Sequence, residues 1–227
     1  SQSLNLAPVQ TPNRAQNHNP EPQPIQESYV EIGGREYRTT VIGNLEWLAE
    51  DLDYTWDGLP VGTEGKRYTV PRATYYNDDQ ETYGNYGLMY NWYAAKYLDD
   101  NKDTLLPAGW RVPTHEDMLA LAEIVGLDDN DNFAGYKLKS INGWNPQESD
   151  GTDEFGFTLL PGGMAFPYPY DSDTVDFRYV GSGVYLWQRD EDETDTDCAY
   201  VLNISRDVNS SNHKNCYNYL RLVRDAT

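Results

Sequence analysis

The chain has 227 residues, with 17 Lys and Arg against 37 Asp and Glu, giving a formal net charge of −20 and a pI near 4.3. A surface of that sign repels phosphate backbones and anionic headgroups, which argues against nucleic acid and membrane-surface partners. Aromatic residues make up 13% of the chain, too many for a disordered acidic polypeptide, and no apolar run reaches the roughly 18 residues needed to span a bilayer.

Residues 1–28 hold Pro8, Pro12, Pro20, Pro22 and Pro24 among Asn and Gln. They bury too little apolar surface to fold alone and read as a spacer ahead of one domain over residues 29–227. The other reading is an arm packed on that domain. The sequence opens on this spacer without an initiator Met, and we expect an exported protein whose leader has been removed.

Residues 29–32 and 36–42 flank Gly33-Gly34, a hairpin turn signal. Residues 45–52 alternate imperfectly, with Trp47 and Leu48 inward. Residues 53–87 are loop-like, rich in Gly, Asp, Asn and Tyr. Met89, Trp92, Tyr93 and Lys96 then recur at helical spacing. Pro107 and Gly109 make a turn before a short buried extended piece, residues 110–112. Thr114 suits a helix N-cap with Asp117 three residues on, a variant capping box. Over residues 115–125, Met118, Leu121, Ala122 and Val125 share one apolar face, and Gly126 ends the helix. A second short helix is expected near residues 134–140. Strands are expected at residues 155–160, 184–188, 198–204 and 216–224, for an α+β architecture.

Six segments, in order, carry a family resemblance: VIGNLEWLAEDL (residues 41–52), YGLMYNW (86–92), PAGWRVPT (107–114), AGYKLKS with Gly143-Trp144 (134–144), EFGFTLLPGG (154–163) and YLRLVRD (219–225). Together they resemble the Fibrobacter succinogenes major paralogous domain family. The resemblance implies a fold related to C-type lectins and to formylglycine-generating enzymes. In that fold an antiparallel sheet forms largely from N- and C-terminal strands, with two or so helices and long irregular loops that carry any ligand site. Where family members usually carry two further cysteines, this chain has Leu106 and Leu222, which leads us to expect an apolar contact between them.

Cys198 and Cys216 suit a disulfide if the chain is exported, the other reading being two reduced thiols. Their placement before the last strands is similar to the inner disulfide of lectin-type domains. Catalysis finds little support. No closely spaced cysteine pair could hold Cu(I), as the formylglycine-generating relatives require. Gly181-Ser182-Gly183 lacks nucleophile-elbow spacing, three scattered histidines leave no material for a triad, and no phosphate-binding Gly-rich loop occurs.

Two binding chemistries remain. The run of residues 190–197 holds six acids in eight positions, and Asp190, Asp192, Asp195 and Asp197 could share Ca²⁺. A solvated acidic loop is the plainer reading. The segment starting at Asp128 opens like an EF-hand loop and then fails, with Phe133 where Gly is needed. Residues 166–173 alternate Pro167 and Pro169 with Tyr168 and Tyr170 ahead of Asp171 and Asp173. Exposed rings there would pack on the C–H faces of a sugar while carboxylates and amides took its hydroxyls. Tyr179, Tyr185 and Trp187 are candidates to contribute, although Trp187 reads as core. The sequons Asn203-Ile204-Ser205 and Asn209-Ser210-Ser211 are weak signals. The expected function is non-catalytic binding of an extracellular glycan or surface protein at the cell surface, as a secreted protein or outer-membrane lipoprotein. The alternatives are a purely structural or adhesive role and a degenerate formylglycine-type enzyme.

Overall fold

A computed structural model of the protein describes residues 27–65, 69–148 and 150–227. The expected spacer lies outside the described residues except for Glu27 and Ser28, and Ser28 already belongs to the first strand.

Strands β1 (Ser28–Ile32) and β2 (Arg35–Ile42) form the expected hairpin, with Ile32 opposite Arg35. Gly33 and Gly34 have φ of +60° and +83°, the two left-handed residues that a tight two-residue turn needs. β3 (Leu45–Leu48) adds antiparallel to β2, and its Trp47 and Leu48 are fully buried. The chain continues through β4 (Ala73–Thr74), the single-turn α1 (Gln80–Tyr83), β5 (Met89–Asn91), α2 (Trp92–Asp100) and α3 (Lys102–Leu105). Met89 thus lies on a strand, and the helix expected around it starts only at Trp92.

α4 (His115–Val125) has the expected limits. The Thr114 hydroxyl accepts from Asp117 N, and the Asp117 carboxylate accepts from Thr114 N, so two orphan donors of the first turn are satisfied reciprocally. Met118, Leu121 and Val125 are buried along one face, as their spacing requires. Residues 134–140 contribute only a 3-10 turn, Gly135–Lys137.

The remaining strands are β6 (Gly162–Pro167), β7 (Val175–Val180), β8 (Tyr185–Glu191), β9 (Cys198–Asn203), β10 (Asp207–His213), β11 (Tyr217–Asn218) and β12 (Val223–Asp225). Three sheets result, ordered β1-β2-β3-β12, β10-β9-β8 and β4-β5-β11-β6-β7. All their strand pairs are antiparallel, and with few helices the fold is α+β.

β12 pairs with β3, Val223 opposite Trp47, so strands from the two ends of the domain share one sheet. Leu48 N and Leu52 N extend this seam by donating to Leu222 O and Leu220 O, each at 2.9 Å. Leu106 and Leu222 belong to one buried apolar cluster.

Two expected strands are corrected. Residues 216–224 divide between β11 and β12, which lie in different sheets. Residues 155–160 keep only an isolated bridge between Lys139 and Leu159. There Thr158 turns left-handed (φ +51°) and its N–H donates to Asp153 Oδ1, which bends the apolar run out of a ladder.

Arg221 ties this architecture together. Its guanidinium is fully buried, donating to Asp51 Oδ1 at 2.5 Å and to the backbone oxygens of Leu48, Phe157 and Thr158. A buried cation is tolerated because nearly every donor finds an acceptor. Burial pushes the Asp51 carboxyl up, while the Arg221 charge beside it pulls the other way.

Candidate functional site

Three tyrosines from the β6–β8 region and residues of the β9–β10 hairpin line a cleft of about 590 Å³. Tyr170 lies just beyond β6, in the loop that leads to β7. Its ring stacks on His213, the last residue of β10, and its carbonyl accepts from Asn215 Nδ2 at 2.9 Å. Tyr179 sits near the end of β7 with φ of +68°, a left-handed backbone uncommon for a ring-bearing residue. Tyr185 opens β8, its ring 6.2 Å from that of Tyr179. These positions leave Tyr170 46% and Tyr179 51% exposed, available to a ligand.

The β9–β10 hairpin contributes Asn203, Arg206, Asn209, Ser210, Ser211 and Asn212 to the lining, and Asn203 lies directly beside Tyr185 in the neighbouring strand. The register of β9 and β10 shifts between Asp207 and Ser210, and such an irregularity re-aims side chains. No carboxylate lines the cleft. The nearest acids serve their own strands, since Asp207 accepts from Asn209 N and Ser210 Oγ, and Asp192 takes a hydrogen bond from the Ser211 side chain. Burial and the neighbouring Tyr179 raise the Tyr185 phenol, and the positive Arg206 opposes them.

The residues expected from sequence fall in three groups. Tyr170 and Tyr179 line the cleft, joined by Tyr185. Tyr168, 71% exposed, and the exposed Asp171 and Asp173 lie on the loop outside the lining. Trp187 is core, fully buried with its indole N–H on Tyr90 O.

The acidic run does not converge. Asp190 Oδ2 accepts from His115 N at 2.6 Å, Asp192 accepts from both Thr194 N and Oγ1, and Asp195 accepts from Asp197 N, while Asp197 is exposed. Among the described residues, no group of three or more His, Cys, Asp or Glu is disposed to hold a metal ion. Asp128 likewise spends one carboxylate oxygen on Asn130 N and Asn132 N.

Cys198 and Cys216 are free thiols, not the expected disulfide. Cys216 lines the cleft floor with its thiol pushed up to about 12 by burial. Burial and a hydrogen bond to Asp195 push Cys198 up to about 11. Thiols so resistant to ionisation are poor nucleophiles and poor soft-metal ligands near neutral pH.

A second cavity, about 390 Å³, lies against Arg35, Arg38, Asp51 and Arg221. Its charges are engaged, Arg35 with Glu50 and Asp53, and Arg221 with Asp51. The tyrosine cleft, by contrast, combines exposed rings with amides along a strand pair.

Sequence reasoning assigned no strand to residues 207–213, because they lack the apolar alternation that marks one. The available signal was the density of Asn and Ser there, including the sequon Asn209-Ser210-Ser211.

Residues 41–224 match the family model described as Fibrobacter succinogenes major domain. No curated protein and no solved structure matches the chain.

Proposed function

The chain belongs to the Fibrobacter succinogenes major domain family, and we propose that it is a non-catalytic binding domain whose ligand is an extracellular carbohydrate held in the tyrosine cleft. The observation that carries this reading is the meeting of Tyr170, Tyr179 and Tyr185 with Asn203, Asn209 and Asn212 in the lining of one cleft. Sugar rings present apolar C–H faces edged by hydroxyls. Flat rings cover the faces, and amides, which both donate and accept, match the hydroxyls.

The non-catalytic part is supported by the one thiol that lines the cleft, Cys216, which burial pushes up to about 12. It is also supported by a lining without carboxylates, since glycoside hydrolysis ordinarily calls on two. A C-type-lectin-like fold is the finer architectural reading, supported by the β3–β12 pairing. We place the protein at the outer cell surface, where such ligands occur, and protease shaving of intact cells would test that.

The test of the ligand class is a glycan array followed by calorimetry on the hits. Tyr170→Ala and Tyr185→Ala should each weaken binding about tenfold or more, the scale on which aromatic anchors act. Unchanged affinity in both, with the fold intact by circular dichroism, would move the site elsewhere. A purely adhesive role would be better served by a flat polar surface than by a ring-lined cleft.

A further inference from the structure

Resting on that carbohydrate reading, we infer that the ligand is an acidic glycan and that Arg206 reads its carboxylate. Three observations converge on this residue. First, Arg206 lines the cleft from the turn between β9 and β10, where its backbone N–H donates to Asn203 O. Tyr185 pairs with Asn203 on the adjacent strand, three residues before Arg206, and the Arg206 charge opposes the rise of its phenol. The guanidinium thus stands beside the rings that would hold a pyranose.

Second, Arg206 is uncommitted. Every other described arginine gives its side chain to a carboxylate, hydroxyl or backbone carbonyl. Among the described residues the Arg206 guanidinium has no hydrogen-bond or ion-pair partner. In a chain whose acids outnumber its bases 37 to 17, an unpaired cation beside a cleft is the exception. The adjacent Asp207 is no partner, because its carboxylate is turned onto Asn209 and Ser210.

Third, the cleft offers a carboxylate no other cation and no competing anion. With no Asp or Glu in the lining, a metal ion has no hard anionic ligands there and cannot bridge protein to glycan. The planar guanidinium fork suits a carboxylate in bidentate geometry. A uronate or sialate whose ring lies on Tyr179 and Tyr185 would direct its carboxyl to Arg206 and its hydroxyls to Asn203, Asn209 and Asn212. The acids elsewhere on the surface oppose an anionic ligand, but that repulsion is screened over about 8–10 Å at physiological salt.

The experiment is an array of uronate- and sialate-containing glycans printed beside their methyl esters and beside neutral oligosaccharides, probed with the full chain and with Arg206→Gln and Arg206→Lys. Each acid should bind about tenfold or more tightly than its ester, as expected for a charge-assisted pair. Arg206→Gln should bring the acid down to the level of its ester without altering the ester, and Arg206→Lys should fall between. EDTA should leave binding unchanged. Acid and ester binding equally, neutral glycans alone binding, an unaffected Arg206→Gln protein, or loss of binding in EDTA would each overturn the carboxylate assignment while leaving a sugar site in place. Failure to bind any glycan on the array, neutral ones included, would overturn the carbohydrate reading itself. Arg206 is exposed, so its substitution should leave the fold intact.

Discussion

Tyr170 and His213 stack with ring centroids 4.2 Å apart and planes 3° from parallel, so the loop after β6 is held against the end of β10 by two flat rings. Burial holds the His213 imidazole below its ordinary 6.5, with Asp197 and Asp195 pulling the other way. A histidine with a lowered folded pKa binds protons better when unfolded. Its contribution is therefore complete above pH 6.5 and is lost as pH falls from 6.5 through the lower folded value. In an NMR titration the His213 ring should turn over below 6.5, and a midpoint at or above 6.5 would contradict the burial described. His213→Ala should weaken glycan binding by freeing the Tyr170 ring, and His213→Phe should retain it.

Arg221 is the second point of leverage. Arg221→Ala would leave Asp51 buried without its counter-charge and strip three backbone carbonyls of a donor. Breaking a buried pair from one side costs about 3–5 kcal/mol. Thermal melting should show a drop of roughly 6–20 °C, since each kcal/mol moves Tm by about 2–4 °C in a domain of this size. A shift of only a degree or two would show that the core relaxes around the loss.

The start of α4 allows a smaller and cleaner measurement. Thr114→Ala removes the hydroxyl that accepts from Asp117 N and should cost about 1 kcal/mol in urea unfolding. Thr114→Ser keeps the acceptor and should cost much less. Equal losses in the two variants would assign the effect to packing.

Gly163 has φ of +77°, and a Cβ there would sit 2.4 Å from Arg178 O and 2.7 Å from Val180 N. Both neighbours are backbone of β7, so neither can rotate away. Gly163→Ala should destabilise the domain by at least about 1–3 kcal/mol and disturb Tyr179, one residue beyond Arg178. Normal stability together with normal binding would contradict that geometry.

At low pH, Asp192 is the group to follow. Hydrogen bonds from the Ser211 side chain and from Thr194 hold its carboxyl down at about 2, against an ordinary 3.8. The stabilisation is present above pH 3.8 and disappears as pH falls toward 2. Asp192→Asn should flatten this part of the acid-unfolding curve, and an unchanged curve would show the bonds to be inconsequential.

Elements encoded by local chemistry were readable in the sequence. Gly33-Gly34 announces its hairpin, and Thr114 with Asp117 announces α4, because turn and cap are decided within four residues. Elements decided by distant partners were not. The apolar run of residues 216–224 looks like one strand, but Tyr217 pairs with Asn91 and Val223 with Trp47, a division set by two separate sheets. β6 begins with Gly162-Gly163 and ends at Pro167, residues that read as turn, and only the approach of Tyr219 and of β7 explains the glycines. The tyrosine wall of the cleft was visible from its rings. The asparagine wall was not, since a polar strand facing a cleft has the composition of a loop.

β3 lies between β2 and β12, and the Arg224–Glu46 contact that locks the last strand spans 178 positions. A nascent polypeptide ending anywhere before Val223 therefore presents β3 as a bare edge, its donors and acceptors open to any passing strand. Completion of the sheet must wait for synthesis to reach its far end, a slow, non-local closure. Until then the unfinished chain carries an open edge with which a neighbouring strand can pair.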